Sequence, residues 1–167
     1  MKEAGCFRIH YGVETGDTEI LNKIGKAGLK IEEIRNTFQM TKRAGIFVLG
    51  HFIIGLPGET RLTIKKSLNL IYSLDPDSIN ASVITPYPGT KLFQIAKRND
   101  WIVSLNWEDY TGYNAVMRTA ELNIKQLNFA RKEMLIKFFI FKILRDKNSR
   151  KTLIKRIPTL IHKFFCE

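Results

Sequence analysis

Residues 47–60 read FVLGHFIIGLPGET, and this stretch decides the fold. Phe47–Ile54 is apolar nearly throughout, the pattern of a parallel strand buried on both faces. Gly55-Leu56-Pro57-Gly58-Glu59 turns the chain, and Thr60 is a good N-cap for a helix running to Leu74. Ile64, Leu68, Ile71 and Leu74 keep helical spacing along it. A strand, a glycine-bearing loop and a helix thus follow one another without a spacer.

The same unit recurs on both sides. Upstream, Phe7–Val13 (FRIHYGV) reads as a strand, followed by Glu14-Thr15-Gly16-Asp17 and a short helix Thr18–Ile24 capped by Asp17. A second helix spans Ile31–Ala44, with Ile31, Ile34, Phe38 and Thr41 on one face and Gly45 at its end. Downstream, Asp75-Pro76-Asp77 breaks the chain and Ser78–Ile84 forms a third strand. Thr85-Pro86-Tyr87-Pro88-Gly89 leads from it to a helix between Thr90 and about Asn99. Three βα units in succession predict an α/β fold with a parallel sheet and helical crossovers. Beyond Asp100 the rhythm stops: residues 101–117 are aromatic and irregular, and a long helix, about Ile124–Leu144, leads into a basic amphipathic end. The chain therefore divides into an α/β part, residues 1–117, and a helical, basic part, residues 118–167.

Charge separates the two parts. The chain carries 27 Lys and Arg against 16 Asp and Glu. Between Lys142 and Lys163 stand eight basic residues and a single acid, Asp146, so most of the excess lies there. With Phe138, Phe139, Phe141, Phe164 and Phe165 nearby, that stretch suits an anionic membrane surface. A solvated helix face packed on the sheet is the competing reading. Lysine predominates over aromatic–arginine interleaving, which argues against nucleic acid. The longest greasy run, Leu135–Leu144, is ten residues with two lysines, too short and too charged to span a bilayer. No secretory signal opens the sequence, and two cysteines, Cys6 and Cys166, fit a reducing cytoplasm better than a disulfide framework. They lack the spacing of a zinc or three-thiolate site.

Ligands of parallel α/β sheets bind where the loops leave the carboxyl ends of the strands. Glu14-Thr15-Gly16, Gly55–Glu59 and Thr85–Gly89 should converge on that rim. Glu14 offers a carboxylate to an ammonium or a ribose hydroxyl. Gly55 and Gly58 let backbone groups approach a planar ring, and the prolines stiffen their loops. Lys26 can reach a ligand carboxylate. Each feature also has a plain structural use, as a cap, a turn or a solvated charge.

GVETGDTEIL (Gly12–Leu21), GHFIIGLPGET (Gly50–Thr60) and TPYPGTKLF (Thr85–Phe93), in this order, resemble the later half of a radical S-adenosylmethionine (SAM) barrel, most closely of the cobalamin-binding group. The resemblance covers about residues 1–117. It implies that the three strands are the fourth, fifth and sixth of a partial (β/α)6 TIM-like barrel, a parallel half-barrel followed by C-terminal helices. It further implies that Glu14 and Thr15 hold the SAM amino group and ribose, and that Ile53 and Gly55 pack on adenine. Thr85 and Pro86 would flank the base, and Lys26 would meet the SAM carboxylate. Glu59 stands one residue later than in the simplest strand-five pattern, and His51 replaces its first glycine.

By the same resemblance the complete enzyme uses SAM and a [4Fe–4S] cluster, with cobalamin as a possible third cofactor. It cleaves SAM reductively to methylate or rearrange a lipid, a tetrapyrrole or a secondary metabolite. The family's CxxxCxxC loop follows its first strand, so the cluster ligands are expected outside this chain, which supplies no catalytic or metal-ligating residue of its own. The expected partner is the missing N-terminal half of the barrel or a chain that carries it. A non-catalytic truncated product or partner-dependent subunit, and a membrane-surface module acting through residues 142–163, are the alternatives. The expected location is the cytoplasm, at most peripheral to a membrane.

Overall fold

A computed structural model describes residues 1–145; the basic stretch beyond Arg145 lies outside the described residues. Three strands, β1 (Arg8–Glu14), β2 (Phe47–Ile54) and β3 (Ser78–Val83), form one sheet in the order β1-β2-β3, and both pairings are parallel. Each crossover is helical, the usual form of a parallel connection. Helices α1 (Thr18–Lys23) and α2 (Ile31–Arg43) join β1 to β2, and α3 (Arg61–Leu74) joins β2 to β3. Helix α4 (Lys91–Arg98) follows β3.

Local chemistry sets the helix starts. The Asp17 carboxylate accepts from the Glu19 and Ile20 amides at 3.1 Å each, opening α1. Thr60 and Thr63 cap α3 reciprocally, each accepting the other's backbone N–H. The Thr90 hydroxyl does the same for Phe93 at the head of α4.

Burial alternates along every strand. Val48, Phe52, Ile54, Ala81 and Val83 are at most 2% exposed, and they pack under Phe38 of α2 and Ile71 of α3. The alternate positions Leu49, His51, Ile53, Ser78, Asn80 and Ser82 are half-buried. The apolar run Phe47–Ile54 thus lies in a parallel strand, but among the described residues helices cover only one of its faces. Residue type alone does not distinguish a strand covered on both sides from one with an apolar open face.

Residues 101–117 are tied down without regular structure. Ile102 and Met117 make an isolated antiparallel bridge, and Trp107–Asp109 is a 3-10 turn. The Val83 amide donates to Gly112 O at 2.8 Å, so this segment covers the outer edge of β3 near its carboxyl end. Helix α5 (Ile124–Arg145) then crosses the layer beside β3 and α3. Leu127 and Met134 enter the core, and the Arg131 Nε donates to Ala81 O at 2.8 Å.

At the end of the sheet away from the βα loops, Asp75 closes α3 in the left-handed region, at φ +46°. Its carboxylate lies 2.8 Å from Lys42 Nζ, 2.9 Å from Lys142 Nζ and 3.7 Å from Arg145 Nε. The feet of α2, α3 and α5 therefore meet on one anion.

Candidate functional site

The register carries the three loops to one edge. Glu14 pairs with Phe52 and Ile54 with Val83, and the Ile84 amide donates to Ile54 O at 2.8 Å. Gly55, Thr85 and Pro86 follow directly. The expected rim therefore exists: Glu14, Ile53, Gly55, Thr85 and Pro86 belong to the carboxyl edge of the sheet or to loops leaving it, and Lys26 reaches that edge with its side chain from the turn between α1 and α2.

The backbone places Glu14. The register shifts between Gly12 and Glu14, a bulge in β1, and Glu14 has φ +69°. Such a conformation is strained for a residue with a side chain and is found where surrounding structure enforces it. Here the Thr15 amide donates to Val13 O at 2.9 Å and the Gly16 amide to Ser67 Oγ at 2.8 Å. Gly16 lies so close to α3 that a Cβ would stand 2.7 Å from Lys66 O and 2.8 Å from Ser67 Cα. The loop is clamped onto the helix and Glu14 is left facing the edge.

Lys26 reaches back to it. Its ammonium is 2.7 Å from Glu14 Oε1 and 2.6 Å from Gly12 O. The pair is only partly buried, so an ammonium and a carboxylate stand side by side at an accessible place. An amino-acid zwitterion carries the complementary pair of charges and can exchange with this contact at both ends.

Thr15 stands at the same edge, but its hydroxyl turns inward. It is fully buried, 3.2 Å from Ser67 Oγ, and accepts from the Asp17 amide at 3.3 Å. Asp17 is also buried and pairs with Lys66 Nζ at 2.7 Å. Burial raises its pKa, yet the Lys66 ammonium and the Ile20 and Glu19 amides more than offset that and hold the carboxyl below its usual range.

Glu59 is the residue that sequence reasoning left without a role. Its side chain is 1% exposed, and one carboxylate oxygen accepts from the Gly55 amide at 2.6 Å. Its own amide donates to Leu56 O at 2.8 Å, closing the loop on itself. Burial pushes its pKa up to about 7, helped by the Asp17 charge and opposed by the backbone donors of Gly55 and Leu56. Gly55 itself has φ +90°, and a Cβ there would lie 3.0 Å from both Ile84 and Leu127. An i to i+4 Gly–Glu pair in a tight loop was the available signal.

The half-exposed face of the sheet carries a polar line. His10 Nδ1 is 3.2 Å from His51 Nε2, and Asn80 Nδ2 is 3.3 Å from His51 Nδ1. His51, which stands in place of a motif glycine, is thus joined to both neighbouring strands. Among the described residues no group of three or more His, Cys, Asp or Glu is placed to hold a metal ion.

This arrangement has known counterparts. The family profile described as the radical SAM superfamily matches residues 1–71. An uncharacterized methyltransferase of Pyrococcus horikoshii is 33% identical over 140 residues, 84% of this chain and 30% of that protein. The anaerobic magnesium-protoporphyrin IX monomethyl ester cyclase of Rubrivivax gelatinosus is 26% identical over 170 residues, 98% of this chain and 30% of that protein. Among solved structures, the radical SAM methyltransferase TsrM of Kitasatospora setae, with cobalamin and a [4Fe–4S] cluster bound, superposes with a TM-score of 0.51. That match has 21% identity and covers 60% of this chain and 19% of the other. Residues 1–71 of the chain belong to the radical SAM superfamily. Its open parallel sheet is a partial TIM-like half-barrel followed by a C-terminal helix. It spans about 30% of the length of the two curated relatives.

Proposed function

We propose that this chain supplies the SAM-cradling edge of a radical SAM enzyme that methylates or rearranges a lipid, a tetrapyrrole or a secondary metabolite. The observation that carries the reading is the Glu14–Lys26 pair, held at the sheet edge by a strained bulge and a clamped loop. The methionyl part of SAM is a zwitterion: Glu14 takes its ammonium and Lys26 its carboxylate. Thr15 fixes the backbone of that loop from within. Ile53 and Thr85, both partly exposed, offer a surface for the adenine, while Gly55 and Pro86 are buried and shape the loops behind it.

SAM, bound to a reduced [4Fe–4S] cluster, supplies the radical chemistry. The residues here fit the nucleoside and its amino acid. They do not fit the cluster, because Cys6 and Cys166 cannot make a set of three thiolates. The cluster is therefore assigned to residues outside this chain, and any cobalamin likewise. What the chain contributes is orientation of SAM. The half-exposed sheet face and the edge of β1, unpaired among the described residues, support a partner-dependent reading, since an unpaired strand edge is a pairing surface.

Calorimetry of the chain with SAM tests the cradle. Glu14→Gln and Lys26→Met should each weaken binding by about tenfold, the loss of one charge-assisted contact of ~1.5 kcal/mol. Unchanged affinity in both would remove the assignment. With iron, sulfide, dithionite and SAM, the 167-residue chain alone should release no 5′-deoxyadenosine. A form joined to sequence carrying a CxxxCxxC loop should release it.

A further inference from the structure

We propose that the outer side of α5, with the groove between it and α3, binds an anionic phospholipid surface. The proposal is independent of the SAM cradle, which lies at the sheet edge.

The second half of α5, Leu135–Leu144, is apolar almost all the way round. Such a helix needs cover on every side, yet among the described residues the sheet and α3 cover only one. Phe129, Ile136 and Ile140 remain 58%, 39% and 47% exposed, and their spacing puts them along one side of the helix. Beside them runs a groove with Leu68 on its floor and Lys65 and Lys137 on its rim, in two contiguous hollows of about 220 and 360 Å³.

Charge identifies the occupant. Helices α3 and α5 together carry nine basic residues and one acid, Glu133. Lys66, Lys142 and Arg145 are paired with Asp17 and Asp75, and Lys137 with Glu133, but Arg61, Lys65, Lys125 and Lys132 stand exposed and keep the face basic. Beyond Arg145 the sequence adds Lys147, Arg150, Lys151, Lys155, Arg156 and Lys163 against Asp146 and Glu167. A basic segment of this chain is a poor electrostatic match for a basic groove, and so is a second copy of the same face. An apolar phase edged with negative charge is the complement. Lysine stems lie along apolar surface while their ammonium groups reach outward to phosphate, which suits residues that project from the outside of a helix. No described helix is long and apolar enough to cross a membrane, so contact is with the surface of the bilayer.

The test is co-sedimentation of the 167-residue chain with vesicles of phosphatidylcholine, with and without phosphatidylserine. Binding should require phosphatidylserine and weaken as salt shortens the Debye length from about 10 Å toward 3 Å. Lys65→Glu with Lys132→Glu should lower it by at least about tenfold, from the contribution of each basic residue near an anionic surface. Phe129→Ser with Ile140→Ser should lower it comparably while leaving the charge unchanged. All four positions are exposed, so circular dichroism melts should match the parent chain. Equal binding to neutral vesicles, no binding, or undiminished binding by either double variant would overturn the proposal. The last outcome would assign attachment to the stretch beyond Arg145. Saturable capture of an acidic amphipathic peptide by a chain that ignores vesicles would assign the groove to a protein partner.

Discussion

Replacing Glu59 by Gln should make the protein more stable at neutral and alkaline pH. Glu59 is buried and its pKa rises from 4.5 to about 7. Below the unfolded value, folded and unfolded chains both hold the proton. As pH climbs above it the unfolded chain releases its proton first, so the folded state binds more protons and loses stability. The loss is complete once pH passes the folded value. A shift of this size corresponds to about 3 kcal/mol at 1.36 kcal/mol per unit. Gln keeps the shape and an oxygen that can accept the Gly55 amide, but never ionises. Its stability should therefore stay flat where that of the parent chain falls. Near the unfolded pKa the two should be alike; at mildly alkaline pH the variant should be ahead by roughly 2–3 kcal/mol. Urea unfolding followed by circular dichroism across this range gives the comparison. Asp17 and Asp75 have lowered pKa values and act at more acid pH, so they do not obscure it. Parallel stability curves for the two proteins would refute the reasoning, because they would mean that the Glu59 carboxyl is hydrated or ionised without penalty.

Three further outcomes are expected. Gly55→Ala meets both a left-handed φ and contacts at 3.0 Å with Ile84 and Leu127; it should cost about 2–3 kcal/mol and lower SAM affinity, measured by urea midpoint and calorimetry. Gly16→Ala would force the loop off the backbone of α3, costing about 1–3 kcal/mol and loosening the hold on Glu14. Asp75→Asn keeps a residue that tolerates the left-handed cap but removes the shared anion. Burial raises the Asp75 pKa, while Lys42 and Lys142 hold it below its usual value on balance. Its contribution is thus present above the unfolded pKa and lost as pH falls through the lower folded one. Discounted for its partial exposure, the variant should be less stable at neutral pH by about 1 kcal/mol and indistinguishable in strong acid.

Much of this architecture is written in period and punctuation. Asp17, Thr60 and Thr90 mark helix starts, and Phe47–Ile54 lies in a strand whose two neighbours are parallel to it. The convergence of Glu14, Gly55 and Thr85 follows from topology alone, since parallel strands carry all their following loops to one edge. What composition does not disclose is conformation and direction. Nothing in GVETGD announces that Glu14 adopts φ +69°, because a residue with a side chain takes that region only when tertiary contacts impose it. Thr15 and Glu14 are neighbours of similar polarity, yet one is sealed against Ser67 and the other faces Lys26. Glu59 looks like a solvated charge opening a helix, and only the packing around Gly55 shows it buried. Side-chain direction at a bulge and burial at a loop are collective properties, decided by elements distant in sequence.

The meeting of three cations on Asp75 means that no helix foot there can let go privately. If α5 withdraws Lys142 and Arg145, the carboxylate that also grips Lys42 becomes more exposed to water, and the grip on α2 slackens with it. Amide exchange in the last turns of α2, α3 and α5 should accordingly rise and fall in concert, so that whatever seizes the end of the long helix is felt across the helical layer at α2.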